Sequence, residues 1–450
     1  MRRIMTWMSK SRLTVYLGAA LLTLWFVWAW LRLLPPPSVR RTLYHGVNRL
    51  IPIHAHIGVS VTAPHHQTTP LFRWQFLWRH VIVIPPQLKV YHQWAYAHLA
   101  YSDIVSLYGA HQLYTHALPY FVTPIEYPVL MGVFMWLMAW VPTVTGYFLV
   151  TGVFVWAAAL GIYRWLWHRN RRLALAFAST PLLLVYGLLN WDIVGIFLMI
   201  MAIDRYEQRR YSVAAVLFAV AVFFKFFPIF YLPFVAVDLR RNGKSAVLRR
   251  MVGIFLGSSA VINGPFIVGN WWNWSIFYVF NASRGFGADL WSNHWIHLTS
   301  VPLIDTVSLL AVLVAMALTG WRVGRGMSPY EAAAVVFAVF LIVNKVYSPQ
   351  YTVWMVAFAM VAAWPVWSVA VLSMAGLMDY VNSFTVLKLM NQGTGGWYAE
   401  HVFPWGIAAR YLALATTLGG VMAARWRRSH RISDDGTDAY GTKSVANPPG

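Results

Sequence analysis

The chain has 450 residues, of which 59% are hydrophobic and only 11% charged, with a mean hydropathy of +0.54. Soluble domains carry about 25% charged residues, so this composition excludes an ordinary soluble protein and predicts an all-α polytopic membrane protein. The net charge of +21 is typical of basic residues that flank membrane spans, so we expect no nucleic-acid partner. The absence of cysteine from the sequence excludes disulfides, thiolate metal sites and thiol nucleophiles.

The first predicted element is a retained transmembrane helix over residues 13–31, which follows a basic N-terminus. Its apolar stretch is longer than that of a signal peptide, and it ends at an arginine and three prolines without a small-residue cleavage site. Each further span needs roughly 20 apolar residues. The later candidates are 144–166, 173–190, 192–206, 211–226, 228–239, 251–268, 301–320, 329–344, 351–365, 366–382 and 404–424.

The basic residues support this set of spans. Assigning alternate loops to the cytoplasm places most of the 35 Lys and Arg there. The positive-inside bias therefore predicts about twelve spans with both termini in the cytoplasm. This solution requires residues 128–141 not to cross the membrane, because the basic run RWLWHRNRR would otherwise face outward. So short an apolar run fits a juxtamembrane helix better than a span.

Residues 34–143 then form a long first extracytoplasmic loop. Most of the 15 histidines lie in this loop, including His54, His56, His65 and His66. Their spacing is irregular and no acidic residue joins them, which favours interfacial histidines over a metal site. We expect a single integral-membrane domain over 1–430, and a disordered cytoplasmic tail over 431–450 because this segment is polar and rich in Gly and Pro.

A small set of charged side chains falls at the outer ends of the spans or in outer loops. These residues are Asp103, Glu126, Asp192, Lys225, Arg284, Asp289, Lys345 and Glu400. Ionisable residues at membrane depth are costly, which favours a functional cavity over ordinary interfacial charges. An enzyme that uses a lipid-linked phosphosugar needs cations to stabilise the departing phosphate and a carboxylate to deprotonate the acceptor hydroxyl.

Asp103, the first acidic residue of the chain, is the candidate general base; a helix N-cap is the alternative. Lys225 and Lys345 are candidate ligands of the donor phosphate, since lysine binds phosphate as a point charge. Arg284 adds a fork of donors. Lysines that snorkel from span ends are the alternative for both cations.

Further candidates for substrate binding carry hydrogen-bonding groups: Glu126, Tyr127, Asp192, Tyr347 and Gln350. Helix starts, helix caps and interfacial tyrosines are the alternatives for these positions. His294 and His297 follow in the loop SRGFGADLWSNHWIHL, where a histidine could help to stabilise the leaving phosphate.

Four segments together resemble a known family. The run SDIVSLYG, followed by LPYFVTPIEYPVL, resembles the first-loop signature of GT-C membrane glycosyltransferases and is most similar to glycosyltransferase family 87, with Val129 where a second proline would stand. FFKFFPIFYLP resembles the family's Lys-Tyr-Pro run, with Phe227 in place of the Tyr. NWDIVGIFLMIMAI and NKVYSPQYTVWMVAF resemble two later segments, so that the similarity covers roughly 95–360.

The resemblance implies an inverting transfer of a hexose, commonly mannose, from a polyprenyl-phosphate donor to a lipid or polysaccharide acceptor. It places the reaction on the extracytoplasmic face of the plasma membrane, with Asp103 as the base, no cofactor and no required divalent metal. A transporter or flippase of a lipid-linked or small anionic substrate is the alternative. Transporters place charges near the midplane within paired repeats, whereas here the charges cluster toward one face and no repeat is evident.

Overall fold

The computed structural model describes residues 2–43, 86–293 and 295–438, which form α-helices, short 3-10 turns and two isolated β-bridges. His54, His56, His65, His66 and His294 lie outside the described residues. The α-helices, in chain order, are α1 (Arg2–Leu33), α2 (Pro37–Thr42), α3 (Pro86–Ala97), α4 (Asp103–Ala110), α5 (Val129–Met138), α6 (Val144–Arg169), α7 (Arg171–Ser179), α8 (Leu182–Tyr186), α9 (Asp192–Glu207), α10 (Tyr211–Phe224), α11 (Leu232–Arg241), α12 (Ser245–Ser283), α13 (Val301–Gly324), α14 (Pro329–Val343), α15 (Tyr351–Val361), α16 (Val366–Asn391), α17 (Gly396–His401) and α18 (Phe403–Asp438).

Six stretches within the described residues are helical, long and apolar enough to cross a membrane. They are Leu13–Leu33, Val144–Arg169, Ser245–Ser283, Val301–Gly324, Val366–Asn391 and Gly396–Arg425. This confirms the predicted all-α membrane architecture. The shorter apolar helices α5, α10, α14 and α15 do not reach this length on their own, so the count of about twelve spans stays a prediction.

One predicted span is broken into shorter helices, and short non-helical segments separate the helices at two of the predicted span boundaries. The apolar run 173–190 divides into α7 and α8 around Pro181, which has no N–H to continue a helical ladder. Lys225 has an extended backbone that ends α10, and a 3-10 turn over Phe227–Tyr231 leads from it into α11. A second break separates α14 from α15 and contains Lys345. The two lysines predicted to bind phosphate therefore both lie where an apolar helix is interrupted.

The short juxtamembrane helix predicted over 128–141 corresponds to α5, which has 10 residues. At 1.5 Å per residue it is about 15 Å long, roughly half of the hydrocarbon core of a bilayer. At the other end of the chain, α18 continues to Asp438. The first part of the tail for which the sequence predicts disorder is therefore helical, and residues 439–450 lie outside the described part of the chain.

The chain divides into two compact units. The first unit comprises Met1–Ile229, Asn242–Arg284 and Tyr380–Phe403. The second comprises Phe230–Arg241, Gly285–Asp379 and Pro404–Gly450.

Close helix packing in the first unit depends on small residues. A Cβ atom at Gly152 of α6 would lie 2.1 Å from Nε1 of Trp30 on α1. About three turns away along the same pair of helices, a Cβ atom at Gly18 would lie 2.2 Å from the hydroxyl oxygen of Tyr163. Small residues let membrane helices approach closely enough for van der Waals packing, so these glycines allow aromatic side chains to lie between α1 and α6.

A buried ion pair in the second unit joins α18 to the part of α16 that belongs to this unit. The Arg410 guanidinium on α18 binds the Asp379 carboxylate on α16, and the two residues are 2% and 1% exposed. The same guanidinium donates to the backbone carbonyl of Ala288 and lies 3.9 Å from the centre of the Tyr347 ring. Because a buried charge is tolerated only with a partner, this contact sets the alignment of α16, α18 and the loop before α13.

Asp379→Ala should lower the free energy of unfolding by about 3–5 kcal/mol, because it leaves the Arg410 guanidinium buried without a counter-charge. The double variant Asp379→Leu/Arg410→Met should recover most of this loss. Glu207→Ala is the control, since it breaks a more exposed ion pair with Arg169 and should cost about 1 kcal/mol or less. Denaturant unfolding of the full chain in detergent measures the stability of all three variants. Equal losses of stability from the single and the double variant would contradict the claim that the buried Arg410 guanidinium needs Asp379 as its counter-charge.

Candidate active site

Backbone hydrogen bonds hold the start of α4, where Asp103 lies. The Asp103 N–H donates to the Leu189 carbonyl at 2.7 Å, and the Ser102 hydroxyl donates to the Leu188 carbonyl at 2.7 Å. The Tyr91 hydroxyl accepts from the Ser102 N–H at 3.0 Å and donates to the Ser102 carbonyl at 3.1 Å. Ser102 occupies the N-cap position of α4, so Asp103 is not the helix cap, and its backbone is fixed against the turn that precedes α9.

The half-buried Asp103 carboxyl has a pKa suited to proton transfer near neutral pH. Burial raises its pKa from the ordinary value of 3.8 to about 6. A hydrogen bond from the Tyr101 side chain and the positive charge of Lys225 oppose this rise, whereas the carboxylates of Asp192 and Glu126 add to it. A general base works best when its pKa lies near the operating pH, so Asp103 is ionised at neutral pH yet able to accept a proton.

Aromatic rings surround this carboxyl. The Tyr101 ring stacks on the Tyr96 ring with centroids 5.5 Å apart and an interplanar angle of 24°, and it lies 6.2 Å from the Phe384 ring. The His92 ring lies 5.6 Å from the Tyr101 ring, and burial lowers the His92 pKa to about 4, so this histidine is neutral at pH 7. Asp103 is therefore flanked on this side by uncharged rings.

Lys225 and Asp192 form a buried ion pair. The Lys225 ammonium lies 2.8 Å from Oδ1 of Asp192, and the two residues are 8% and 2% exposed. The same ammonium lies 5.0 Å from the centre of the Tyr127 ring, within range of a cation–π contact. Asp192 is the first residue of α9, where the positive end of the helix dipole favours a carboxylate. A donor phosphate that binds Lys225 has to compete with this carboxylate.

Glu126 has a partner that the sequence did not indicate. Its Oε2 atom lies 2.9 Å from Nε2 of His111, which follows the last residue of α4. Burial acts to raise the pKa of Glu126, but the charge and hydrogen bond of His111 outweigh it and lower the pKa. The Tyr120 hydroxyl holds the adjoining loop by donating to the Tyr127 and Pro128 carbonyls at 2.9 and 2.8 Å. Glu126 is therefore ionised and paired, which makes it a poorer base than Asp103.

Four of the site residues predicted from the sequence gather in the first unit. We call Asp103, Glu126, Asp192 and Lys225 the charge cluster, because the pKa of Asp103 responds to the other three members. Arg284 ends α12 in the same unit, and its guanidinium lies 5.6 Å from the Phe280 ring. Within the described residues, no group of three or more His, Cys, Asp or Glu side chains is arranged to hold a metal ion.

Tyr127, another predicted site residue, lies beside Lys225 in the first unit, whereas Lys345, Tyr347, Gln350 and Asp289 lie in the second unit and have partners there. The Lys345 ammonium lies 2.8 Å from Oδ2 of Asp305. The Tyr347 hydroxyl lies 3.3 Å from the Thr352 hydroxyl, and the Tyr347 ring lies against the Arg410 guanidinium. The Gln350 side-chain oxygen accepts from the Ser348 hydroxyl. Asp289 accepts hydrogen bonds within its own loop, from the backbone of residues 291 and 292. Phosphate or substrate binding by these residues stays a prediction.

Sequence reasoning did not single out several partners of the predicted residues: Tyr101, His111, Asn190, Trp191 and Asp305. The scarcity of acids, only 14 in the chain, is the signal that could have found some of them. Asp305 interrupts the apolar run VPLIDTVSLL, and an acid in such a run calls for a cationic partner. The pairing of His111 with Glu126 has no comparable signal, because it depends on how α4 packs.

The profile of glycosyltransferase family 87 matches residues 125–349, half of the chain. The chain belongs to glycosyltransferase family 87. A search of curated proteins gives no match. The matched segment contains Glu126, Asp192, Lys225 and Lys345 and begins after Asp103, so a catalytic role for Asp103 stays a prediction. As a family 87 member with apolar membrane-length helices, the protein is a membrane glycosyltransferase, and this favours group transfer over transport.

Lys225→Met should lower the free energy of unfolding of this family 87 protein by about 3–5 kcal/mol, because it leaves the Asp192 carboxylate buried and unpaired. Adding Asp192→Leu should restore most of the stability. Lys345→Met is a matched control: its partner Asp305 keeps 46% of its side chain exposed, so water can solvate the carboxylate and the cost should be about 1 kcal/mol. Denaturant unfolding in detergent gives the comparison, and equal losses in both lysine variants would argue against a buried pair.

Proposed function

We propose that the protein transfers a hexose, mannose by family resemblance, from a polyprenyl-phosphate donor to a lipid or polysaccharide acceptor on the extracytoplasmic face of the membrane. Asp103 acts as the general base, and the anomeric carbon is inverted. The position of Asp103 carries this proposal: a half-buried carboxyl with a pKa of about 6, beside Lys225 and next to aromatic rings. Family membership supports glycosyl transfer, and the resemblance supports the lipid-linked donor.

The proposed reaction is a single displacement. The acceptor hydroxyl gives its proton to the Asp103 carboxylate while its oxygen forms a bond to the anomeric carbon of the donor. The bond from that carbon to the phosphate oxygen breaks, and its electron pair leaves with the polyprenyl phosphate. Attack on the face opposite the leaving group inverts the anomeric configuration.

Lys225 is the proposed partner of the donor phosphate within the first unit. Its ammonium is already held against Tyr127 and Asp192, so it is positioned before substrate binds. A cation beside the leaving oxygen stabilises the negative charge that grows as the glycosidic bond to phosphate breaks. The lysine is mostly shielded from water, which strengthens this attraction.

The rings beside Asp103 support an acceptor that carries a sugar. Tyr96 and Tyr101 are both partly exposed, and their stacked rings form a wall next to the base. A pyranose has an apolar face of C–H groups that can pack on such rings while an edge hydroxyl reaches the carboxylate. A glycolipid or a polysaccharide meets this requirement, and the membrane setting is consistent with either.

Asp103→Asn should reduce transfer by about 10²–10⁴-fold, because the amide keeps the shape of the carboxyl but cannot accept the acceptor proton. The measurement uses purified full-length protein in lipid nanodiscs with radiolabelled polyprenyl-phosphate mannose and a membrane lipid extract, and follows a new glycosylated product. Glu400→Gln, which neutralises an exposed acid, is the control and should retain activity. Turnover near that of the wild type in the Asp103 variant would refute the base assignment.

The pH profile provides a second test of the base. Asp103 must be ionised to act, so kcat/KM should fall as the pH drops through about 6. Tyr101 donates a hydrogen bond that stabilises the ionised carboxylate and lowers its pKa. Tyr101→Phe removes this bond, so the acidic limb of the profile should move to higher pH. Tyr96→Phe is the control: it keeps the ring and should leave the acidic limb of the profile in place. An acidic limb that does not move in Tyr101→Phe would disprove that the Tyr101 hydrogen bond lowers the pKa of the base.

A further inference from the structure

The last two residues of the turn that precedes α9 and the first residue of that helix, which we call the turn Asn190–Asp192, are three consecutive buried side chains with unused hydrogen-bonding atoms. Asn190 and Trp191 are 0% exposed and Asp192 is 2% exposed. Nδ2 of Asn190, Nε1 of Trp191 and Oδ2 of Asp192 have no hydrogen-bond partner among the described residues. The remaining polar atoms are engaged, since Oδ1 of Asn190 accepts from the Asp192 N–H at 2.9 Å and Oδ1 of Asp192 contacts Lys225. Buried polar groups are almost always hydrogen-bonded, so these three neighbouring atoms call for a partner that the described residues do not supply.

The turn lies next to the charge cluster. The carbonyls of Leu188 and Leu189, just before it, hold the start of α4 and thereby the Asp103 backbone. The Trp191 ring meets the Tyr127 ring edge-on, with centroids 6.0 Å apart. Asp103 and Tyr127 are both partly exposed. The unused atoms are thus located beside the base and the phosphate-binding lysine of the proposed reaction.

The chemistry of the three atoms identifies the class of group that they bind. Two are N–H donors and the third is a carboxylate oxygen, which only accepts. A phosphate offers only acceptors, so it matches the two donors but repels the Asp192 oxygen. A metal ion is excluded because N–H groups do not ligate metals. A hydroxyl both donates and accepts, so neighbouring hydroxyls of a sugar satisfy all three atoms at once.

We propose that the turn Asn190–Asp192 binds hydroxyl groups of the hexose carried by the donor; this inference rests on the proposed function. The N–H groups of Asn190 and Trp191 donate to sugar oxygens, and the Asp192 carboxylate accepts from a sugar hydroxyl. The donor phosphate then binds the Lys225 ammonium together with Asp192. The hydrogen bond from the sugar hydroxyl to the Asp192 carboxylate compensates for the weaker attraction between this carboxylate and the lysine. The sugar is held between the lysine and the base.

Trp191→Phe isolates one of these contacts, because it keeps a buried aromatic ring and removes the Nε1–H donor. Trp364→Phe is the matched control: Trp364 is 1% exposed, its Nε1 also lacks a hydrogen-bond partner among the described residues, and it belongs to the second unit. Full-length protein in nanodiscs is titrated with polyprenyl-phosphate mannose and with polyprenyl phosphate that carries no sugar. Transfer and thermal unfolding are measured on the same samples.

We expect the wild type and Trp364→Phe to bind the mannose-bearing lipid more tightly than the bare lipid phosphate. Trp191→Phe should weaken binding of the mannose-bearing lipid by about 3- to 10-fold and leave binding of the bare lipid phosphate unchanged. Its melting temperature should not fall below that of Trp364→Phe, because both variants lose a donor with no protein partner.

Three results separate the possible failures. Equal affinity of the wild type for the two lipids overturns the sugar site, and so does an unchanged preference for the mannose-bearing lipid in Trp191→Phe. A fall in melting temperature confined to Trp191→Phe, with lipid preference intact, assigns the tryptophan a structural role and also overturns the inference. Sugar preference that depends on Trp191 without any transfer by the wild type supports the site and refutes the proposed function alone.

Discussion

The ion pair between Lys225 and Asp192 is the contact on which the candidate site depends. An ammonium that is 8% exposed in a break between apolar helices is tolerated only with a counter-charge. Asp192 provides that charge from the first turn of α9. The contact holds the end of α10 against the start of α9, and the turn before α9 in turn fixes the backbone of Asp103. One electrostatic requirement therefore positions three segments.

Three carboxylates in the first unit acquire different properties from their surroundings. Asp192 is paired with lysine, Glu126 is paired with His111, and Asp103 receives a hydrogen bond from a tyrosine and is otherwise shaped by burial. Burial raises the pKa of the Asp103 carboxyl to about 6, whereas His111 holds the pKa of Glu126 below its ordinary value. Surroundings that push the pKa values of neighbouring acids apart suit them to different roles, and the opposite shifts of Asp103 and Glu126 distinguish these two carboxyls.

The short helices explain how polar side chains reach the site within an apolar protein. Non-helical backbone at membrane depth is tolerated where protein surrounds it, and breaks of this kind hold Lys225 and Lys345. In the first unit, α9 begins at Asp192 and α10 ends just before Lys225, so that both members of the buried ion pair lie at helix ends. The unused N–H groups before α9 follow the same pattern, because a turn can present side chains that a continuous helix would direct elsewhere.

The sequence by itself determined the membrane class, the α-helical architecture, the family resemblance and the candidate residues, because hydrophobicity and charge are properties of short stretches of chain. It did not predict that the run 173–190 would break at Pro181, since its apolar character reads as continuous. Only the tertiary structure decided which carboxylate meets which cation and which acid has a raised pKa. Asp192 and Lys225, or His111 and Glu126, come together through helix packing, and both Coulomb energy and burial depend on distances between segments that are remote in sequence.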